Sequence, residues 1–187
     1  MKKILIAGGT GFVGKHLVSF LAKQGYFVHV LTRKSMDHPS ENIQFFQWNI
    51  ERQYIDKKAF DGVDTIINLT GANIAEKKWT KKRKKEIIDS RIQSIDLLYQ
   101  YVSENHFEIN TFISSAAVGI YGAVTTDKIY WETSEMGSDF LASVCKIWEA
   151  AAMKFQDLGA RTVILRKGVI MGKEGGMVQK LTPLAKR

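Results

Sequence analysis

Lys3-Ile4-Leu5-Ile6-Ala7-Gly8-Gly9-Thr10-Gly11-Phe12-Val13-Gly14 is an apolar run that breaks into glycines and then into a helical pattern. Ile4 to Ala7 carries no polar alternation, which suits a strand buried on both faces of a parallel sheet. Val13, Leu17, Phe20 and Leu21 then recur at helical spacing. Strand, glycine turn and helix together give a glycine fingerprint its meaning. The first glycine permits a tight turn, the second a close backbone approach to a pyrophosphate, and the third close packing of helix on sheet. The helix start at Phe12 and Val13 aims free N–H groups and the positive dipole end at the phosphates. Gly9, Gly11 and Gly14 fit the common dinucleotide spacing, and Gly8, Gly11 and Gly14 fit a three-residue spacing.

Further strands are expected at Phe27–Leu31, Ile43–Trp48, Thr65–Leu69, Asn110–Ser115 and Thr162–Leu165. Helices are expected from Phe12 to Gln24, Lys81 to Asn105 and Asp139 to Leu158, with Gly25 and Gly159 as stops. Ile88, Ile92, Ile95, Leu98 and Val102 form the buried stripe of the second helix, and Arg91 sits at its edge, where a charge needs a partner. That partner is either a nearby carboxylate or a phosphate or substrate group. Phe140, Val144, Ile147, Trp148, Ala151 and Phe155 supply the apolar positions of the third. The order gives an α/β, doubly wound parallel sheet (Rossmann), strand order 3-2-1-4-5-6.

Ligands in such sheets sit beyond the carboxyl ends of the strands, so Leu69, Thr70 and Gly71 should border a cofactor. The end of the second strand decides which one. It reads Thr32-Arg33-Lys34, with no acid to accept bonds from a ribose 2′-hydroxyl; the nearest is Asp37. A guanidinium can grip a 2′-phosphate bidentately, so NADP(H) is favoured over NAD(H). The loop from Ala123 to Gly137 is long and partly acidic (Asp127, Glu132, Glu135), a length more often found in functional loops.

The 187 residues suffice for one domain with a sizeable core, and 45% hydrophobic with 25% charged residues is ordinary globular usage. The single cysteine, Cys145, excludes an internal disulfide and reads as a buried thiol on an apolar helix face. A strand starting at residue 3 leaves no room for a signal peptide, and no apolar run approaches a membrane span, so the expected location is cytoplasmic, without a membrane partner. The +8 net charge is concentrated in Lys77, Lys78, Lys81, Lys82, Arg83, Lys84 and Lys85. This reads as a solvated helix start; only Trp79 interleaves the charges, so nucleic acid is disfavoured as a partner. No metal site is expected.

Several stretches resemble the extended short-chain dehydrogenase/reductase (SDR) superfamily, and within it the atypical NAD(P)-dependent, sugar-nucleotide epimerase-like family. These are Gly8 to Gly14 (Ala7 replacing the Thr of Thr-Gly-x-x-Gly-x-x-Gly), Asn68-Leu69-Thr70-Gly71-Ala72-Asn73-Ile74-Ala75 with Trp79-Thr80, Ser90-Arg91, Ser114 to Gly122, and Phe140 to Ala151. The resemblance covers essentially the whole chain. It implies Thr32, Arg33, Leu69, Thr70, Glu86, Arg91 and Val169 as NADP contacts beside the glycines, and a small-molecule substrate such as a nucleotide sugar. It also implies a cofactor domain over residues 1–170, with 171–187 the start of a truncated substrate-binding region, so that the C-terminal substrate domain is essentially missing.

The resemblance breaks at the catalytic set. Anchored on Glu149, the Tyr-x-x-x-Lys positions of the superfamily fall on Leu141 and Cys145, and the usual Ser position falls near Ala116. Lys146 is adjacent but about 100° away around the helix. Tyr121 and Ser115 are the replacement acid/base candidates. The leading reading is an NADP(H)-binding oxidoreductase or nucleoside-diphosphate-sugar epimerase-like protein with a non-standard active site. The alternative is a non-catalytic dinucleotide sensor or scaffold. Substrate and oligomeric state are not legible.

Overall fold

The computed structural model describes residues 2–34, 40–172 and 175–176. Asp37 and the stretch 177–187, most of the expected substrate-region start, lie outside the described residues.

Seven strands form one sheet: β1 (Lys3–Ala7), β2 (Phe27–Thr32), β3 (Ile43–Asn49), β4 (Tyr54–Ile55), β5 (Val63–Asn68), β6 (Thr111–Ala117) and β7 (Arg161–Lys167). Their order is β4-β3-β2-β1-β5-β6-β7. Six strands pair in parallel in the expected order; β4 is an antiparallel addition at one edge. It had no sequence signal, because two residues are too short to show a period. The turn before it places Gln53 at φ 50°.

The helices are α1 (Phe12–Lys23), α2 (Lys81–Glu104) and α3 (Phe140–Met153). β1 explains why the layers form. Ile4 and Ile6 join Val18 of α1, Val28 and Val30 on one face. Leu5 and Ala7 join Leu98 of α2 and Trp148 of α3 on the other. A strand clothed on both faces needs an apolar residue at every position. At the core's centre Phe112 and Phe155 stack 3.7 Å apart.

Two stripes differ from expectation. On α2 the fully buried positions are Arg83, Ile87, Arg91, Ser94, Ile95, Leu97, Leu98 and Val102, while Ile88 and Ile92 are only half-buried. The buried face is thus turned toward two arginines and a serine. On α3, Ile147 is exposed, and the helix tightens into a 3-10 turn over Lys154–Leu158 before Gly159 at φ 80°. No helix among the described residues is long and apolar enough to cross a membrane.

His29 is an ionisable group inside β2, its Nδ1 2.8 Å from the Ala59 carbonyl oxygen, where it donates. Burial pushes its pKa below the ordinary 6.5, against the pull of that carbonyl. The unfolded chain therefore takes up this proton more readily than the folded one. The contribution of neutral His29 is complete above its unfolded value and is lost as pH falls from about 6.5 through the lower folded value. The urea midpoint should drop between about pH 7 and pH 5, and His29→Gln should flatten that drop. An unchanged slope in the variant would show that His29 is not the group responsible.

Candidate functional site

The glycine turn is built by close contact. Gly8 sits at φ 83°, a conformation that disfavours a side chain. A Cβ there would lie 2.9 Å from the Leu69 carbonyl carbon and 3.1 Å from the Thr70 nitrogen. A Cβ on Gly14 would sink into the Gly8 carbonyl oxygen and stand 2.6 Å from the Gly9 Cα. Gly11 N–H donates to the Gly8 carbonyl at 3.0 Å and closes the turn. Gly11 is the N-cap of α1, with no side-chain cap and no acid in the first turn. The leading N–H groups of the helix therefore have no side chain accepting from them. That cradle fits the pyrophosphate of a dinucleotide. Phe12 and Val13 are half-buried at the helix start. The Phe12 ring lies against Gly172 and Gly175, glycines of a short hairpin formed by β8 (Met171–Gly172) and β9 (Gly175–Gly176).

Leu69, Thr70 and Gly71 leave β5 directly beside this turn. Leu69 N–H donates to the Ala7 carbonyl at 2.8 Å. Asn68 Oδ1 accepts from the Thr70 N–H and hydroxyl at 3.2 and 2.7 Å, while its Nδ2 is buried with no partner among the described residues. Gly71, at φ 154°, packs on Arg91: a Cβ would come within 3.2 Å of the guanidinium carbon. Gly8, Leu69, Thr70, Gly71 and Arg91 thus form one continuous wall.

Arg91 is 8% exposed and has no carboxylate within ion-pair distance among the described residues. Its guanidinium donates to the carbonyls of Ile87 (2.8 Å) and Ala72 (3.3 Å) and lies 4.8 Å from the Trp148 ring centroid. Burial lowers its pKa, opposed by Cys145 and reinforced by Arg83. The salt bridge weighed for it is not there. Arg83 behaves differently. It is 4% exposed and clamped by Glu76 (3.0 Å), Glu86 (2.6 Å) and the Asn73 carbonyl (2.6 Å). The basic cluster is therefore a solvated helix start minus one arginine, which is turned inward to hold the loop after β5. Glu86 serves that clamp.

Other expected contacts stand apart from the wall. Thr32 is buried, its hydroxyl spent on the Lys34 backbone at 3.0 and 3.2 Å. Arg33 is exposed at the carboxyl end of β2, and Val169 is 68% exposed beyond β7.

At the far end of the sheet, Tyr121 closes a 3-10 turn over Val118–Tyr121 that follows β6. Its hydroxyl donates to the Trp131 carbonyl at 2.9 Å and accepts from Arg166 Nη1 at 2.9 Å. Arg166 also grips Glu149 through both carboxylate oxygens at 2.9 Å, which raises its pKa, and the Glu132 carbonyl at 2.9 Å. A cleft of about 810 Å³ lies here, lined by Tyr121, Tyr130, Glu149, Arg166 and Lys167 among others. On α3, Leu141 is half-buried; Cys145 is buried, its thiol pKa raised by burial, and Lys146 is exposed. Ser115 is 2% exposed, and its Oγ lies 2.6 Å from Lys167 Nζ. Sequence reading missed Lys167, because a cation after a strand has no spacing that ties it to a serine on another. Among the described residues no three His, Cys, Asp or Glu side chains gather to hold a metal.

The model of the NAD dependent epimerase/dehydratase family matches residues 4–185, and the chain belongs to that family. An epimerase family protein of Mycobacterium leprae is 32% identical over 181 residues, covering 97% of this chain and 57% of its own. Epimerase family protein YfhF of Bacillus subtilis is 31% identical over 180 residues, covering 96% of this chain and 59% of its own. The chain thus spans less than three fifths of these curated relatives. Among solved structures, a nucleoside-diphosphate sugar epimerase from Corynebacterium glutamicum superposes with a TM-score of 0.79 at 33% identity, covering 99% of this chain and 38% of that one. The human epimerase family protein SDR39U1, solved with NADPH, gives 0.77 at 26% identity, covering 97% of this chain and 59% of that one.

Gly14→Ala should push α1 off the Gly8 carbonyl. The expected cost is about 1–3 kcal/mol of stability, with at least a tenfold loss of dinucleotide affinity. Urea unfolding and isothermal titration with NADPH measure the two. An alanine variant that binds NADPH as well as wild type would show that the turn is not the cradle.

Proposed function

We propose that this member of the family binds NADP(H) in the crevice over the glycine turn and works as an oxidoreductase or nucleoside-diphosphate-sugar epimerase-like protein with a non-standard active site. The observation that carries the reading is the wall from Gly8 to Arg91, where side-chain-free backbone runs on to a buried guanidinium with no carboxylate within ion-pair distance among the described residues. In this reading the α1 N–H groups at Phe12 and Val13 hold the pyrophosphate, and Leu69, Thr70 and Gly71 flank it. Arg33 takes the 2′-phosphate at the end of β2, beside Thr32. Arg91 donates to cofactor or substrate oxygens, while Glu86, through Arg83, and Val169 border the site. Bound there, the nicotinamide exchanges a hydride with substrate. Ser115 and Tyr121 stand at the reactive end; Tyr121 enters the chemistry by exchanging the Trp131 carbonyl for a substrate oxygen. Residues 1–170 make up the cofactor domain. The binding of NADPH by the human relative and the sugar-nucleotide name of the Corynebacterium relative support the ligand classes. A cytoplasmic location is part of the same reading.

A second reading, a dinucleotide sensor or scaffold, is favoured by Leu141 and Cys145 at the Tyr and Lys positions and by the commitment of the Tyr121 proton to a backbone carbonyl. Hydride transfer from NADPH to any of a panel of carbonyl compounds, lost in Tyr121→Phe or Ser115→Ala, would exclude it.

Isothermal titration should give tighter binding of NADPH than of NADH. Arg33→Ala should weaken NADPH about ten- to hundredfold, the value of a charge-assisted bond of about 1.5–3 kcal/mol, and leave NADH nearly unchanged. Absence of NADPH binding would overturn the reading; equal loss of both nucleotides would overturn only the role of Arg33.

A further inference from the structure

Ser115 and Lys167 meet at the carboxyl ends of two adjacent strands, the edge of the sheet where doubly wound folds hold their ligands. β6 and β7 pair with Ser115 opposite Leu165 and Ala117 opposite Lys167. The Lys167 side chain therefore folds back over two residues to bring Nζ within 2.6 Å of Ser115 Oγ. The serine is buried, and the lysine is half-buried while lining the open cleft. No carboxylate lies within ion-pair distance of Lys167 among the described residues.

The surrounding charges have other commitments. Arg166 precedes Lys167 on the strand and holds Glu149 through both carboxylate oxygens. Tyr121 is engaged by Arg166 and the Trp131 carbonyl. Glu132 and Tyr130 line the same cleft. From α2, Arg91 adds like charge, and with desolvation as the larger cause it lowers the Lys167 pKa. Cys145 of α3 is a buried thiol pushed toward its neutral form. A lysine with lowered pKa, a hydroxyl partner and open access can take up and return a proton more readily than an ordinary exposed one.

Resting on the proposed NADP(H) reading, we propose that Ser115 and Lys167 are the proton-handling pair of the reactive end, acting on a substrate hydroxyl or carbonyl oxygen where the helix offers only Leu141 and Cys145. In the oxidative direction the substrate C–H electron pair leaves as hydride to NADP+, the O–H proton passes to the Lys167 amine, and the C–O bond becomes a carbonyl. In reverse, the ammonium returns the proton to the oxygen as hydride returns to carbon. Ser115 holds the amine in place, accepting a hydrogen bond from the ammonium and able to donate one to the neutral amine. The role belongs to Lys167 because Arg166, which shares the cleft and touches the Tyr121 hydroxyl, is tied to Glu149, whereas Lys167 has no carboxylate within ion-pair distance among the described residues.

NADP+ and NADPH share a shape and differ by one positive charge on the nicotinamide ring, so they test whether Lys167 lies beside that ring without any substrate. Competitive acetylation of the wild-type chain with acetic anhydride, read by peptide mass spectrometry, reports the neutral fraction of each lysine. At about pH 8, Lys167 should react about tenfold faster with saturating NADP+ than with saturating NADPH, one unit of pKa, because the cationic ring favours the neutral amine. Exposed Lys146 should react equally in both. Ser115→Ala should raise Lys167 labelling severalfold in the nucleotide-free protein by removing the acceptor of the ammonium. Equal Lys167 labelling with the two nucleotides, both shown bound by titration, overturns the pair and leaves the NADP(H) reading standing. Failure of both nucleotides to bind overturns the two together. Labelling indifferent to Ser115→Ala overturns the serine's share.

Discussion

The fold turns on how near two backbone segments come to each other at Gly8. The Gly8 carbonyl accepts the Gly11 N–H and leaves no room for a side chain on Gly14, while a Cβ on Gly8 itself would press on the Leu69–Thr70 peptide. One residue therefore ties the end of β1 to the start of α1 and to the end of β5. The helix axis is set by the first contact and the crevice floor by the second. Everything that borders the crevice inherits its position from strands packed on both faces, where register is strongly specified because each slip would bury the wrong face.

Two buried arginines on α2 then divide the work of shaping the wall. Arg83 is charge-paired: two carboxylates and a carbonyl take donors of its two terminal nitrogens, while its Nε has no partner among the described residues, and the loop from Asn73 to Glu76 is fastened to the helix as a result. Arg91, two helical turns on, has carbonyls and an indole face but no carboxylate within ion-pair distance among the described residues. A desolvated guanidinium served only by neutral partners is less stable than one with a counter-charge. An oxyanion entering the crevice gains from that imbalance, and the same oxyanion beside Arg83 would gain nothing. Equal burial thus has opposite meaning at the two positions.

Much of this was open to reading in the residues, for physical reasons that can be stated. Ile4 to Ala7 is apolar at every residue and Ile66 and Ile67 are apolar side by side in β5, as a doubly covered strand requires, so the order of the parallel strands followed from the chain. The glycine spacing carried its meaning because backbone sterics act over a few residues. What stayed hidden depends on contacts between distant residues. Nothing near Arg83 in sequence separates it from its lysine neighbours; only the returning loop with Glu76 does. Ile147 satisfies the helical period of α3 yet faces outward, because period fixes a face and not what covers it. Ser115 and Lys167 stand 52 positions apart and meet only through the pairing of β6 with β7.

The pleat of β7 accounts for how one strand end serves two tasks. Successive side chains point to opposite faces. Arg166 goes to the α3 side, where Glu149, Tyr121 and the Glu132 carbonyl take its donors and fix the long loop after β6. Lys167 goes to the other side and reaches Ser115, itself one step out of phase with the core-facing Phe112 and Ser114. A catalytic lysine on a helix is held by the turns above and below it. One on a strand end is held only by its neighbour's hydroxyl and keeps more freedom at its tip. Anchoring of the adjacent residue offsets that freedom: with Arg166 locked by two carboxylate oxygens, the backbone from which Lys167 swings cannot shift, and the amine moves on a fixed pivot.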